Sequence, residues 1–245
     1  YTSNNENYFG DLPRQVLWDS SQNIEEASLD VAQGIIEQME TCEDDDLIIL
    51  RPHSYGVSQV LYILGLGKRF QDTYPDNMFV KIYKRTFEVF SYTGAFHGTP
   101  LMNIVCSSRL TRKIGKFFGK SCVPSLLTNT INGPTDYVHS PGVPTYLIYS
   151  TDRSGYYGAL GGIISKYKVS FFSFFFRGTR NQNDNTLPIA STKACASQKL
   201  MKKRDSTCKK IDSTFFKDYY HLTDKNHTEF LTDKEIMLMG SINED

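Results

Sequence analysis

Side chains able to do chemistry are present, but their spacing assigns them no reaction. The five histidines are His53, His97, His139, His221 and His227. None forms H-E-x-x-H and none has a second histidine at helical spacing, so no zinc site follows. The five cysteines, Cys42, Cys106, Cys122, Cys195 and Cys208, contain no C-x-x-C pair. Serine is plentiful, but no G-x-S-x-G elbow occurs. Gly65-Leu66-Gly67-Lys68 has the look of a phosphate loop, but Arg69 stands where Ser or Thr is required, and a helical pattern surrounds it. Gly155, Gly158, Gly161 and Gly162 do not read as G-x-G-x-x-G and mark a turn. Lys202-Lys203-Arg204 and Lys209-Lys210 form a basic patch, read either as a solvated helix face or as a phosphate contact. Asn226-His227-Thr228 is a formal glycosylation sequon that carries no weight without a secretion signal. The residues therefore predict no catalytic residue, no metal ligand and no enzyme.

Composition narrows the class further. The chain has 245 residues, with 27 basic and 27 acidic, and no net charge. That balance argues against a dedicated nucleic-acid binder, which needs a surplus of Lys and Arg. The apolar fraction of 40% supports a packed core. No run of 18 apolar residues exists, so no membrane span is expected. The polar start is no signal peptide, and a chain beginning at Tyr1 implies a missing short leader. An odd number of widely spaced cysteines is expected to stay reduced, as in the cytosol. The 15 Tyr titrate near pH 10 and the lysines near 10.4, so strong alkali turns a neutral chain into an anion.

The elements that must position these residues read as one domain behind an N-terminal arm. Asp11 caps a short helix over 11–19, with Leu12, Val16 and Leu17 as its apolar stripe and Trp18 beside it. Two turns do not hold themselves up in water, so this helix packs on its own domain or on a neighbouring molecule. From Ile24 to Thr41 helical propensity and strand-like spacing compete. Leu47–Leu50 reads as a buried strand, and Ser58 as the cap of a helix running to Phe70. Strand patterns follow at Met78–Lys84, Thr86–Phe90, Leu101–Cys106, Thr145–Tyr149 and, most clearly, Lys166–Phe176. Residues 194–220 suit a surface helix or two.

Several segments in this order resemble cypovirus polyhedrins. They are Thr2-Ser3-Asn4, Phe9-Gly10, Arg14-Gln15, Leu17-Trp18, Ser20-Ser21-Gln22-Asn23, then Leu47–Leu50 followed by Tyr55-Gly56-Val57, Phe96-His97, and the aromatic region 215–232. The resemblance implies a mainly β protein with flanking helices, a jelly-roll-like β-sandwich over 24–245 with a projecting arm over 1–23. It puts strands at 24–40. It implies a viral structural protein that forms homotrimers and intracellular crystals in the host cytoplasm, embeds virus particles in occlusion bodies, and binds neither nucleic acid nor membrane. No cofactor is required, although members hold nucleotides in the crystal. Leu12, Arg14, Gln15, Val16, Leu17 and Trp18 become the expected lattice contacts. Tyr83, Tyr92, Tyr156, Tyr157, Tyr167, Tyr219 and Tyr220 become the expected trigger for dissolution in an alkaline gut. The alternatives are a jelly-roll capsid protein and a cytosolic hydrolase or nucleotide-binding enzyme.

Overall fold

The structure, a computed structural model, describes residues 15–96, 98, 102, 105–109, 122–126, 142–151, 187, 189–192 and 216–223. Its elements run α1 (Ile24–Met39), β1 (Ile48–Leu50), α2 (Tyr55–Phe70), α3 (Met78–Arg85), β2 (Thr86–Tyr92), β3 (Thr145–Thr151), α4 (Ile189–Thr192) and β4 (Asp218–Thr223). The strands form one sheet in the order β1-β2-β3-β4, and every neighbouring pair is parallel. A parallel pair needs a crossover rather than a hairpin, which makes this an α/β protein.

That topology overturns the β-sandwich and, with it, the polyhedrin resemblance and the jelly-roll capsid alternative. A sandwich has two antiparallel sheets face to face, whereas here helices cover the sheet. Of the segments carrying the resemblance, Leu47–Leu50 overlaps β1 and Tyr55-Gly56-Val57 opens α2, while Thr2-Ser3-Asn4, Phe9-Gly10 and His97 lie outside the described residues.

α1 forms because its apolar residues recur at helical spacing. Ile24, Ala27, Ser28, Val31, Ala32, Ile35 and Met39 are buried in succession. The strands expected at 24–40 are therefore a helix, as its Glu, Gln and Ala content favours. At its start the Ile24 N–H donates to the Ser125 hydroxyl (2.9 Å), which in turn donates to the Asn23 side chain (3.3 Å). Met78–Lys84 also departs from expectation. It is α3, entered by Asn77, whose side-chain oxygen accepts the Phe79 N–H at 2.9 Å. Phe79, Val80 and Ile82 are buried there, a spacing too short to separate period 2 from period 3.6. In the run 101–106, Met102, Val105 and Cys106 are helical rather than extended.

α1, α2 and α3 share one core with the sheet, built from Val31, Ile35, Ile63, Leu64, Phe79, Ile82 and Val89. Gly67 lets α2 and α3 touch. A Cβ there would lie 2.3 Å from the Phe79 carbonyl oxygen and 2.5 Å from the Tyr83 Cβ. The glycines of Gly65-Leu66-Gly67-Lys68 thus serve helix packing inside α2, and no phosphate loop exists there.

The arm does not form the expected helix at residues 15–19, which have no regular structure. It lies instead along its own domain. Val16 fills the notch at Gly34, where a Cβ would come within 2.5 Å of Cγ1, and the Trp18 ring lies 5.3 Å from that of Tyr55. Tertiary packing on α1 and α2 replaces the hydrogen bonds that two isolated turns could not sustain. Leu12 and Arg14 lie outside the described residues, Gln15 is exposed, and Leu17 is 78% exposed. The cysteines also differ from expectation, since Cys106 and Cys122 form a disulfide, while the Cys42 thiol is not disulfide-bonded and donates to the Gln38 carbonyl (3.8 Å). Sixteen residues separate that pair, and only the tertiary fold brings it together. Cys195, Cys208 and the predicted strand at 166–176 lie outside the described residues. None of the described helices is long and apolar enough to cross a membrane.

Candidate active site

The site begins where β1 ends. Arg51-Pro52-His53 leads from the strand to Ser54, and α2 starts at Tyr55 rather than at Ser58. Ser54 takes φ 56° and ψ −123°, a backbone region that L-residues rarely occupy. Among the described residues only Ser54 and Thr93 combine a side chain with positive φ. Such strain persists only where surrounding structure imposes it, and it clusters at functional sites.

The neighbours of Ser54 account for the turn. Its N–H donates to the Tyr92 carbonyl at the end of β2 (3.0 Å), and its carbonyl accepts the N–H of Ala95 (3.1 Å). His53 pairs with Tyr92 as a further parallel bridge, so the sheet carries the chain up to the residue before Ser54. The chain then reverses at once into α2, with the Gly56 N–H donating to the His53 carbonyl (2.9 Å). The residues two before and two after Ser54 face each other closely, since a Cβ on Gly56 would lie 4.0 Å from the Pro52 Cβ.

This is the geometry of a nucleophile elbow, a strand–serine–helix turn at the carboxyl end of a parallel strand. It occurs here as Pro52-His53-Ser54-Tyr55-Gly56, with proline in place of the first glycine. A search for G-x-S-x-G passes over it. The signal that finds it is His-Ser-Tyr-Gly between a buried strand and an amphipathic helix.

The groups around the elbow suit acyl chemistry. Ser54 is half-buried at the N-terminus of a 16-residue helix. The Tyr55 N–H, the first of α2, has no hydrogen-bond partner among the described residues. A free N–H at a helix N-terminus stabilises developing negative charge. Tyr55 itself is buried with Ala95, Met102, Val105, Val123, Leu126 and Leu187, and the Cys106–Cys122 disulfide packs against this cluster. Burial pushes the Tyr55 phenol up to about 12, against the opposing effect of the Ser125 hydroxyl.

On the sheet, His221 in β4 stacks on Tyr149 of β3 with ring centroids 4.7 Å apart. Burial pushes the Tyr149 phenol up to about 12, and the nearby Tyr219 adds to the rise. Of the seven tyrosines expected as an alkaline trigger, Tyr83 stands on α3, not on a strand, and Tyr219 and Tyr220 stand on β4. Tyr92 is buried at the end of β2, and burial raises its pKa, with Arg51 opposing. Tyr156, Tyr157 and Tyr167 lie outside the described residues. Among the described residues, Val16 and Trp18 of the arm and Tyr83 pack against the one core that α1, α2 and α3 share, while Tyr92 and Tyr220 belong to a separate cluster. Sequence reasoning missed Ser54 and Tyr55 as a pair, and Thr93 and Ser150 at the same edge of the sheet. Among the described residues no group of His, Cys, Asp and Glu is arranged to hold a metal.

No family model matches the chain, and no curated protein matches it. Among solved structures, a metagenomic carboxyl esterase is similar at 20% identity with a TM-score of 0.45, over 72% of this chain and 48% of that one. Phospholipase PlaB from Legionella pneumophila is similar at 14% identity with a TM-score of 0.43, over 74% of this chain and 36% of that one. Its complex with thio-NAD gives 12% identity and a TM-score of 0.44, over 74% and 35%. The chain thus spans about half the length of the esterase and about a third of the phospholipase. The expectation of a non-enzymatic crystal matrix is overturned by the parallel sheet and the strained serine at its carboxyl edge. The nucleotide-binding alternative loses its motif to the α2–α3 contact.

Proposed function

We propose that the chain is a serine hydrolase acting on carboxylic esters, with Ser54 as its nucleophile. The observation that carries this reading is the backbone of Ser54, strained between a parallel strand and the helix whose N-terminus it caps. In the reaction the Ser54 Oγ attacks the acyl carbonyl while a general base takes its proton. The Tyr55 N–H faces the oxyanion. The alcohol departs with that proton, and water then releases the acid from Ser54.

In this architecture the acid and then the histidine follow the serine in chain order, from the ends of later strands. Asp152 is the next residue after β3, and His227 is four residues after β4. These two are proposed as acid and base. His221 sits within β4 against Tyr149 and is not. The test is hydrolysis of p-nitrophenyl esters of graded chain length. Ser54→Ala, Asp152→Asn and His227→Ala are expected to lower kcat by about 10³-fold or more, and His221→Ala is expected to leave it within about threefold. Turnover unchanged in Ser54→Ala contradicts the reading.

A further inference from the structure

We infer that Thr93 is a positioning residue for Ser54, acting through the turn Tyr92–Ala95 that grips the peptide of the nucleophile on both sides. The inference rests on the reading of Ser54 as nucleophile and adds what holds it in place.

Both backbone hydrogen-bonding groups of Ser54 reach this one turn, and its carbonyl also accepts the Val57 N–H of α2 (3.2 Å). Its N–H goes to the Tyr92 carbonyl (3.0 Å) and its carbonyl receives the Ala95 N–H (3.1 Å). Thr93 stands between those two partners. It carries φ 42°, a conformation that is a genuine outlier for a β-branched residue. It is fully buried, and its N–H donates to the Ile148 carbonyl of β3 (2.8 Å). The following Gly94 is pressed onto α2, where a Cβ would lie 2.8 Å from Val57 Cγ1 and 2.6 Å from the Phe96 ring. The Ser58 hydroxyl adds a bond to the Ala95 carbonyl (3.2 Å). The turn is therefore fixed to β3 on one side and to α2 on the other, with Ser54 held between.

Among the described residues the Thr93 hydroxyl is buried without a hydrogen-bond partner. An unsatisfied buried hydroxyl costs stability, so no polar bond of its own explains this side chain. What it contributes is a branched Cβ that fills a closed space and narrows the backbone freedom of the turn. Two unfavourable features coincide at one residue, and both lie on the piece of chain that orients the nucleophile.

This separates shape from hydroxyl. Thr93→Val keeps the branch and removes the unpaired hydroxyl. It is expected to keep kcat within about twofold, with an unchanged or higher Tm. Thr93→Gly frees the turn. It is expected to lower kcat about tenfold with KM within about twofold, because small misplacements of a nucleophile are costly in rate. Thr93→Ala, which keeps a Cβ without the branch, is expected to fall between, and it gives the reading if the glycine variant fails to fold. Steady-state kinetics on a p-nitrophenyl ester, run beside Ser54→Ala and a thermal melt, measures all of these. Wild-type kcat in both Thr93→Gly and Thr93→Ala overturns the inference. So does a loss in Thr93→Val equal to that in Thr93→Gly, since the hydroxyl would then be the active part. If Ser54→Ala itself retains turnover, the nucleophile reading falls and the inference with it. If Ser54→Ala is inactive while Thr93→Gly matches wild type, the positioning role alone falls.

Discussion

Ser54 holds a conformation that costs the fold stability and places a hydroxyl at the start of α2. Strain of this kind is worth about 1–3 kcal/mol. Ser54→Gly removes the side chain that makes φ 56° unfavourable. It is therefore expected to raise unfolding free energy by roughly 1 kcal/mol in a urea titration while abolishing ester hydrolysis. A lower stability in this variant would place the side chain in the packing instead. The residue was only half legible in the sequence. Its histidine, tyrosine and glycine neighbours were visible, but the pattern demands glycine at position 52. Proline stands at that position, and only the second glycine of the pattern, Gly56, is present. Backbone torsion has no signature of its own in residue type, so the strain at Ser54 and Thr93 came only from the structure.

At the scale of elements, legibility followed length and period. α2 was read nearly to its true end, since its apolar residues recur over four turns, and β1, β2 and β3 were read within one to two residues. The eight residues of α3 were misread because Phe79, Val80 and Ile82 satisfy strand and helix alike. Residues 24–40 were misread for a different reason. Their propensity was helical, and a family resemblance was allowed to override it. Gly67 joins α2 to α3 through contact with the Phe79 carbonyl, a backbone atom that has little freedom to move aside. Gly67→Ala is expected to destabilise the fold by about 1–3 kcal/mol through overpacking, measured as a shift of the urea midpoint. An unchanged midpoint would mean that the two helices can separate without loss. The Cys106–Cys122 bond closes a loop with a sequence separation of 16 and packs beside Tyr55. Its loss in the double Cys106→Ser, Cys122→Ser variant is expected to lower stability by about 3 kcal/mol. A variant as stable as wild type under non-reducing conditions contradicts that expectation.

For the whole molecule, alkali remains disruptive, but for a reason different from crystal release. Tyr55 and Tyr149 have folded-state pKa values of about 12, and Tyr92 is also raised, all chiefly through burial. The unfolded chain titrates near 10. Between those values the unfolded state holds fewer protons on these phenols, so stability is intact below pH 10 and falls as pH rises toward 12. Tyr55 alone accounts for about 2–3 kcal/mol once pH exceeds both values. Chemical denaturation at a series of pH values should show the drop beginning near 10, with a shallower fall in Tyr55→Phe. A decline complete by pH 9 would assign it to other groups. The neutral charge and aromatic content that suggest a crystal suit an α/β core equally, in which Phe90 stacks on Tyr146 and Phe96 meets Phe216 edge-on. Composition sets how much can be buried and says little about strand direction.

The central claim is that Ser54 is an activated nucleophile. Incubation with a serine-directed fluorophosphonate, followed by intact-mass measurement and peptide sequencing, tests it directly. One phosphonyl adduct per chain, on the peptide bearing Ser54 and absent from heat-denatured protein, is the predicted result. An unmodified chain, or an adduct on another serine with Ser54 free, would contradict it.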